Sequence, residues 1–161
     1  MADRNDLLGL IAADVRALSA ESEQIGRSFA GLHHLTASDF RALVHIMVAD
    51  DAGIPLTAGE LRTRMGLSGA AITYLVERMI TSGHIRRESD PADRRKVILR
   101  YDEPGMALAR DFFTPLAQHT HTALAHLPDE DLAAAHRVFL AVVEAMRAFS
   151  SSLKDDPLNA G

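Results

Sequence analysis

The sequence predicts a mainly α-helical protein with a small β ribbon, of the α+β class, and three observations support this prediction. Residues 57–83 show two short amphipathic helices that a Gly-Leu pair separates. Residues 85–101 show two short strands around a polar tip. Residues 6–32 and 132–153 carry long apolar stripes with heptad-like spacing. Long helices are therefore expected on both sides of a compact unit of short elements.

The two short helices have clear start and stop signals. Thr57 and Glu60 fit the S/T-x-x-E capping box, and Gly66 supplies the left-handed residue that ends the first helix. Ser68 caps the second helix, and Gly83 ends it. The apolar residues of the second helix share one face: Ile72, Leu75, Val76 and Met79. So short a turn between two helices is typical of a helix-turn-helix unit.

The charged ribbon follows these helices directly. Its first strand at 85–88 leads into a polar tip at 89–95, and the return strand occupies 96–101. Two sets of residues alternate in the return strand, as in a half-buried strand: Val97, Leu99 and Tyr101 against Lys96, Ile98 and Arg100. A helix-turn-helix followed at once by a basic hairpin is a winged helix, a design that is typical of DNA-binding domains.

The first long helix is expected to run from residue 6 to about residue 32, where Gly31, His33 and His34 end it. Its stripe is interrupted by a single polar residue: Leu8, Ile11, Val15, Leu18, Ser22, Ile25, Phe29 and Leu32. Thr36 then starts a second helix that stops at 50–53. Asp39 replaces the usual Glu of its capping box and predicts a weaker cap.

Residues 54–56 are too short to fold alone, and they can add a third strand to the ribbon. Beyond the ribbon Asp102 opens a helix, in which Pro115 predicts a bend. Pro128 begins the last helix, and residues 154–161 are expected to form a frayed tail. The stripe of the last helix has no interruption: Leu132, Ala135, Phe139, Val142, Met146, Phe149 and Leu153.

Three segments resemble the recognition helix and wing of the MarR (multiple antibiotic resistance regulator) family: 68–79, 82–85 and 90–95, the last with the pattern Asp-Pro-x-Asp-Arg-Arg. Where that family usually has Leu-Thr, this chain has Tyr101 and Asp102, and Asp caps a helix as well as Thr does. The resemblance implies a winged helix-turn-helix lobe at 36–101. It also implies a helical dimerisation lobe made of 6–32 and 102–153.

The charge of the chain is unevenly distributed. The formal net charge is −5, but residues 57–100 hold nine Lys or Arg against five acids, so that this region is +4 and the remainder is −9. No Cys is present, which excludes disulfides and thiolate metal sites. The polar N-terminus and the lack of an apolar run of ~20 residues predict a cytoplasmic protein without a signal peptide or membrane span.

The predicted DNA-binding residues fall into two groups. The exposed face of the second short helix should enter the major groove: Ser68, Gly69, Ala70, Thr73, Tyr74 and Arg78. The ribbon should contact phosphates and the minor groove: Arg86, Arg87, Asp93, Arg94, Arg95 and Lys96. Either Asp93 or Asp90 is expected to hold one tip guanidinium while the other enters the groove. The alternative is a solvated turn that binds nothing.

The flanking stripes allow two interpretations. Periodicity alone favours packing as ordinary core inside one subunit. The resemblance favours a two-fold homodimer, which suits a palindromic operator. The predicted interface residues come from both ends of the chain: Leu8, Ile11, Val15, Leu132, Phe139, Val142, Met146 and Phe149.

The eight His residues do not predict a metal site, because none shows the i, i+4 spacing of two helical ligands, and we expect no metal and no cofactor. The resemblance implies a site for a small anionic or aromatic ligand. Its candidate residues lie near the first two helices: Phe29, His33, His34, His45 and Met47. The same residues equally suit a core or an interface.

These observations predict a sequence-specific transcriptional regulator that binds double-stranded DNA, with no membrane partner. The resemblance adds a homodimer and a repressor that a ligand relieves. The alternative is a winged-helix module that binds another protein and not DNA. An enzyme is not expected, since the sequence has no catalytic triad order, phosphate-binding loop or supported carboxylate pair.

Overall fold

A computed structural model describes residues 3–155 of the chain. The elements in chain order are α1 (Arg4–Leu32), α2 (Ala37–Asp51), α3 (Ala58–Met65), α4 (Gly69–Thr81), β1 (Ile85–Ser89), β2 (Val97–Tyr101), α5 (Glu103–Leu124) and α6 (Asp129–Asp155). The mainly helical class with one small ribbon is therefore confirmed. Within residues 3–155 we find no helix that is both long and apolar enough to cross a membrane.

The first two helices begin at reciprocal caps. Asp3 and Asp6 form a capping box that starts α1 two residues before the predicted position. His33 closes α1, and His34 adopts a left-handed backbone with φ of 55°. At the start of α2 the Thr36 side chain accepts a hydrogen bond from the Asp39 amide, and Asp39 Oδ2 accepts from the Thr36 amide at 2.8 Å.

The helix-turn-helix forms as the start and stop signals predict. Thr57 and Glu60 make the capping box of α3, and Gly66 ends the helix with φ of 65°, which a side chain would disfavour. The Ser68 hydroxyl accepts from the Ala71 amide at 3.2 Å and caps α4. The predicted inner face of α4 is buried: Ile72, Leu75, Val76 and Met79.

The ribbon is a two-stranded antiparallel hairpin in which Ile85 pairs with Tyr101 and Ser89 with Val97. The prediction of a third strand at 54–56 is wrong. The sheet has two strands, and the segment next to 54–56 makes an isolated bridge between Thr57 and Ile98.

The expected alternation along β2 is also wrong. Val97 is 49% exposed, whereas Ile98 and Leu99 are each 1% exposed. Leu99 joins the main core, and its amide donates to the Leu56 carbonyl at 2.7 Å. Ile98 is paired on one edge with Glu88 and on the other with Thr57. Successive side chains point to opposite faces of a strand, so the burial of both Ile98 and Leu99 means that both faces of β2 exclude water at this point.

A core of side chains from α1 to β2 holds the winged helix together. Phe29 of α1 packs in an aromatic cluster with Phe40, Phe112 and Phe113, at ring-centroid distances of 5.0 to 5.7 Å. Gly105 in α5 is required because a Cβ there would lie 2.5 Å from the His84 carbonyl oxygen. The other large core members come from α2, the segment before α3, α3, α4 and the two strands: Leu43, Ile46, Leu56, Leu61, Leu75, Met79, Ile85 and Leu99.

Tyr101 lies at the end of the wing, where the MarR family that the sequence resembles usually has a Leu. Its hydroxyl donates a hydrogen bond to the Leu43 carbonyl at 3.0 Å, which ties β2 to α2. Burial is the largest cause that raises the pKa of Tyr101, so the phenol stays neutral. Asp102 follows, and its carboxylate accepts from the Glu103 amide at 3.0 Å, which confirms it as the start signal of α5.

The chain divides into two compact units between Phe113 and Thr114. α5 continues through Pro115, and the expected bend there stays a prediction. In the second unit the Pro128 carbonyl accepts from the amides of Asp131 and Leu132, so α6 begins where predicted. α6 continues to Asp155, and the rest of the predicted frayed tail, 156–161, lies outside the described residues.

Candidate nucleic-acid interface

The outer face of α4 is a small, accessible surface. Gly69, Ala70, Thr73 and Tyr74 are exposed on it, while the opposite face of the helix is buried. The Thr73 hydroxyl donates to the Gly69 carbonyl at 2.9 Å, so its acceptor capacity and its methyl group remain available. Small residues at the N-terminal end of the helix allow the backbone to approach a groove closely. This arrangement suits a helix that reads base edges.

Arg78 lies at the edge of this face, but its guanidinium is engaged inside the protein. Its Nη2 lies 2.5 Å from Asp39 Oδ1, and its guanidinium carbon lies 5.0 Å from the centroid of the Tyr74 ring. Burial raises the pKa of Asp39, but hydrogen bonds from Arg78 and Thr36 outweigh burial and leave the pKa below its ordinary value. The carboxylate is therefore charged and holds Arg78 in place.

The tip of the wing presents exposed basic side chains. Arg94, Arg95 and Lys96 are exposed, and no ion pair holds them anywhere in the part of the chain that the structure describes. The expected pairing of a tip guanidinium with an Asp is wrong. Asp93 instead accepts from the Arg95 amide at 3.1 Å, and Asp90 accepts from the Ala92 amide at 2.8 Å. Turn amides lie within immediate reach of these short side chains, so the carboxylates stabilise the turn.

The arginines along the strands differ from those at the tip. Arg87 pairs with Glu77 of α4 at 2.7 Å. Arg86 pairs with Glu88 at 3.0 Å and donates to the Tyr101 carbonyl. These contacts fix the hairpin against itself and against α4.

Two basic residues of α3 extend the surface beyond the predicted set. Arg62 and Arg64 are exposed in the last turn of α3, and Arg62 Nη1 lies 3.9 Å from the position that a Cβ of Gly69 would occupy. Arg62 therefore stands beside the N-terminus of α4, where a phosphate would also find free amide groups. Their position immediately before the turn of the helix-turn-helix was the signal that could have identified them from sequence.

The five predicted ligand residues are distributed over several environments. The rings of Phe29 and His33 lie 4.6 Å apart within the aromatic cluster. His34 is exposed, Met47 is 38% exposed, and His45 is half-buried. Burial, followed by the nearby charges of two arginines, lowers the pKa of His45. A groove of about 450 Å³ lies elsewhere, on the outer side of α4, and is lined by Tyr74, Glu77, Arg78, Thr81 and Ser82.

His84 is a buried histidine that the sequence analysis did not single out. Its Nδ1 lies 2.7 Å from the Ser82 hydroxyl, and its Nε2 has no hydrogen-bond partner within the described chain. Burial is the main cause that lowers its pKa, with the charge of Asp39 acting in the opposite direction. As for metal ions, no group of three or more His, Cys, Asp or Glu that could hold one occurs among the described residues.

The predicted interface residues are mostly accessible in the single chain. Leu8 is 53% exposed on α1, while Ile11 and Val15 are half-buried. On α6 Phe139 is 50% exposed and Met146 is 58% exposed. The remaining three on α6 range from half-buried to exposed: Leu132, Val142 and Phe149.

A helix-turn-helix with an exposed second helix, followed by a hairpin with unpaired basic residues at its tip, defines a winged-helix protein. Residues 33–96 match the model of the MarR family. The winged helix of this chain is therefore similar to that of the MarR family, as its recognition helix and wing motif predict.

Individual proteins agree with this assignment. The uncharacterized HTH-type transcriptional regulator YcgE of Bacillus subtilis is 36% identical over 53% of this chain, which spans about half, 54%, of that relative. A MarR family protein from Bacillus stearothermophilus shares the fold, with a TM-score of 0.62, 23% identity and coverage of 91% of this chain and 99% of that one. A DNA complex of MepR from S. aureus gives a TM-score of 0.51 at 16% identity, and the match covers 81% of this chain and 96% of the MepR chain.

Proposed function

We propose that this protein is a transcriptional regulator that binds double-stranded DNA through α4 and the wing. The observation that carries the proposal is the exposure of basic side chains without ion pairs at the wing tip and on α3, the element that precedes α4 in the chain. The neighbour solved as a DNA complex supports it. In this proposal α4 lies in the major groove, Arg94 or Arg95 enters the adjacent minor groove, and Arg62 and Lys96 contact phosphates.

The test is selection of bound fragments from a random DNA pool, followed by affinity measurements at several salt concentrations. The key variant is Arg94→Ala/Arg95→Ala. Its affinity should fall by ~1–3 kcal/mol for each well-placed contact, and its salt dependence should flatten by about one unit of slope for each lost phosphate contact. The melting temperature should stay nearly constant, because exposed tip charges contribute little to stability.

A matched control removes two arginines outside the winged-helix surface. Arg27 and Arg110 each pair with an exposed Glu, and Arg27→Ala/Arg110→Ala makes the same change in net charge. This control should retain the wild-type affinity and slope. Wild-type protein that shows no salt-dependent binding to any DNA would instead favour the alternative, a winged-helix module that binds another protein.

We also infer that the regulator acts as a homodimer on a palindromic operator. Support comes from the accessible apolar residues of α6, since large exposed apolar surfaces mark interaction sites. Phe139 and Val142 lie on the stripe, and Ala141 and Ala148 lie on the opposite side of the helix by its 3.6-residue period.

The dimer is tested by sedimentation at micromolar concentration. Phe139→Asp/Val142→Asp should yield monomers or unfolded protein, because charges buried in an apolar interface lack partners. Ala141→Asp/Ala148→Asp, which adds the same two charges to the other side, should remain dimeric. A monomeric wild type would contradict the inference.

The last part of the proposal is that the regulator represses transcription and that a small aromatic or anionic ligand relieves the repression. The aromatic cluster with His33 at its edge supports an aromatic ligand. A panel of aromatic carboxylates should raise the melting temperature and weaken operator binding together, since binding and DNA affinity are linked. Compounds that stabilise the protein without changing DNA affinity would contradict the coupling.

A further inference from the structure

Tyr74 is a large side chain that stands on the outer face of α4 with 67% of its surface exposed. The guanidinium of Arg78, one helical turn later, lies over its ring, with the guanidinium carbon 5.0 Å from the ring centroid. A cation at this distance from an aromatic face is attracted to it. The contact therefore favours one orientation of the tyrosine ring over the others that an exposed side chain would sample.

Arg78 is fixed in turn by a residue of another helix. Its Nη2 lies 2.5 Å from Oδ1 of Asp39, whose side chain is 3% exposed. The other oxygen of this carboxylate accepts from the Thr36 amide and from the Thr36 hydroxyl, both at 2.8 Å. Each oxygen of Asp39 thus has a charged or polar partner, and the carboxylate cannot rotate without losing one of them. The chain of contacts runs from the first turn of α2 to the exposed ring on α4.

We propose that Tyr74 is a residue that determines DNA sequence preference, and that Asp39 and Arg78 are positioning residues that fix its ring. This inference rests on the proposed function. A phenol can donate and accept hydrogen bonds at base edges, and its ring can contact a thymine methyl group. A ring that is held in one orientation discriminates between bases better than one that adapts to each of them.

Arg78 then has a role different from the direct DNA contact that its position on α4 predicts. The charge of Arg78 is already offset by the Asp39 carboxylate that its Nη2 contacts, so a phosphate would gain less from Arg78 than from an arginine without an acidic partner. Arg78 therefore acts through Tyr74 and contributes no counterion release of its own. The two roles differ in a measurable quantity, the salt dependence of binding.

The experiment compares base preferences selected from a random DNA pool by the wild type and five variants, the fifth being Arg78→Lys. Tyr74→Ala removes the reader, Arg78→Met removes the stacked cation, and Asp39→Asn/Arg78→Met also removes the buried charge that Arg78→Met would strand. Arg100→Met is the matched control, because Arg100 makes a comparable ion pair with Asp50 of α2, at 2.8 Å, from β2 rather than from α4. Circular dichroism and thermal melting confirm that each variant is folded at the assay temperature.

Tyr74→Ala should flatten the preference at particular base pairs by roughly tenfold, the size of one good base contact. Arg78→Met and the double variant should flatten the preference at the same base pairs, with the salt slope of wild type. Arg78→Lys should not restore the preference, because an ammonium on a flexible stem does not stack as a planar guanidinium does. The control should keep both the preference and the slope.

Two results would overturn the inference. If Arg78→Met lowers the salt slope by about one unit per subunit, Arg78 contacts a phosphate directly. If Arg78→Met binds every sequence more weakly by the same factor, the residue serves only the fold. A wild type that selects no sequence at all contradicts the proposed function itself, whereas a selective wild type with an equally selective Arg78→Met contradicts this inference alone.

Discussion

The nine basic residues between positions 57 and 100 divide into two groups that the sequence does not distinguish. An inner group of four is paired with acids: Arg78, Arg86, Arg87 and Arg100. An outer group of five has no ion pair among the described residues: Arg62, Arg64, Arg94, Arg95 and Lys96. The outer group lies on α3 and at the wing tip, which come before and after α4 in the chain.

The difference between the groups indicates that net charge alone does not locate a DNA-binding surface. The inner arginines neutralise acids of the same lobe and connect α2, α4 and the wing to one another. A cation that already has an acidic partner gains less from a phosphate, because it must first lose that partner. We therefore expect the outer group to supply the affinity and the inner group to supply the geometry. Four predictions test this division.

The largest effect is expected for Gly69→Glu, at the start of α4. The nearest atom to a Cβ at this position is Arg62 Nη1 at 3.9 Å, so a Cβ fits without a clash and the position is exposed. A carboxylate in the first helical turn also interacts favourably with the helix dipole. The fold should therefore remain intact, while DNA binding is abolished because an acid replaces the closest approach to the bases.

Gly69→Gln, which has the same size without the charge, is the control for this variant and should retain part of the affinity. Binding is measured by electrophoretic shift on the selected operator, and stability by thermal melting. Wild-type affinity in Gly69→Glu would show that the N-terminus of α4 does not face DNA.

The second prediction compares the two groups directly. Arg62→Ala/Arg64→Ala and Arg86→Ala/Arg87→Ala each remove two positive charges. The outer pair should lower the slope of log affinity against log salt by up to about two units per subunit, since each phosphate contact contributes about one. The inner pair should lower the slope by less. Equal slopes for the two double variants would contradict the division into groups.

Local signals in the sequence predict the elements of the fold well, because caps and turns are decided within four residues. Thr57 and Glu60, Ser68, and Gly66 all act as predicted. Pairs that are distant in sequence leave no such signal. Arg78 and Asp39 are 39 residues apart, so their ion pair depends on how α2 packs near α4.

The same reason explains the errors in the wing. Alternation predicts burial when only one face of a strand is covered, but Ile98 and Leu99 point to opposite faces and each is 1% exposed, so both faces of β2 are covered here. The acid at Asp93 suggests an ion pair by its charge alone, although the amide of Arg95 lies closer and takes the carboxylate. The sequence thus predicts the helix and the hairpin themselves, but it does not predict the partner of each charged group.

The third prediction concerns Arg100, an inner residue that should affect stability and not DNA recognition. Arg100→Met leaves Asp50, whose side chain is 21% exposed, without its cation. Burial already raises the pKa of Asp50, and loss of the opposing effect of Arg100 raises the pKa further. The loss should be about 1–3 kcal/mol at neutral pH, as for a buried group without its partner.

The pH dependence of this variant follows from the sign of that pKa shift. A carboxyl whose pKa is raised by folding favours its protonated form, so the penalty grows as pH rises above the ordinary pKa of Asp and shrinks in acid. Arg110→Met is the control, because its partner Glu103 is 81% exposed and the pair should contribute little. A deficit that is equal in acid and at neutral pH would contradict the assignment to Asp50.

The smallest effect is expected for His84, a buried residue between α4 and β1. Folding lowers its pKa, mainly through burial, and His33 acts in the same direction while Asp39 acts against them. The folded state therefore favours the neutral imidazole. Its contribution to stability is present above the ordinary His pKa of about 6.5 and is lost as pH falls through the lowered value. The melting temperature of the wild type should fall between about pH 7.5 and about pH 5.5 for this reason.

His84→Leu should reduce that fall by a few degrees, since about 1 kcal/mol shifts the melting temperature of a chain of this size by about 2–4 °C. At neutral pH the variant should lose about 1 kcal/mol, because the hydrogen bond between Nδ1 and the Ser82 hydroxyl is removed while Nε2 has no partner to lose within the described chain. His121→Leu, on an exposed position of α5, should leave the pH dependence unchanged. If His84→Leu melts with the same pH dependence as wild type, the acid sensitivity lies elsewhere. His45, whose pKa is also lowered by burial, then becomes the residue to change.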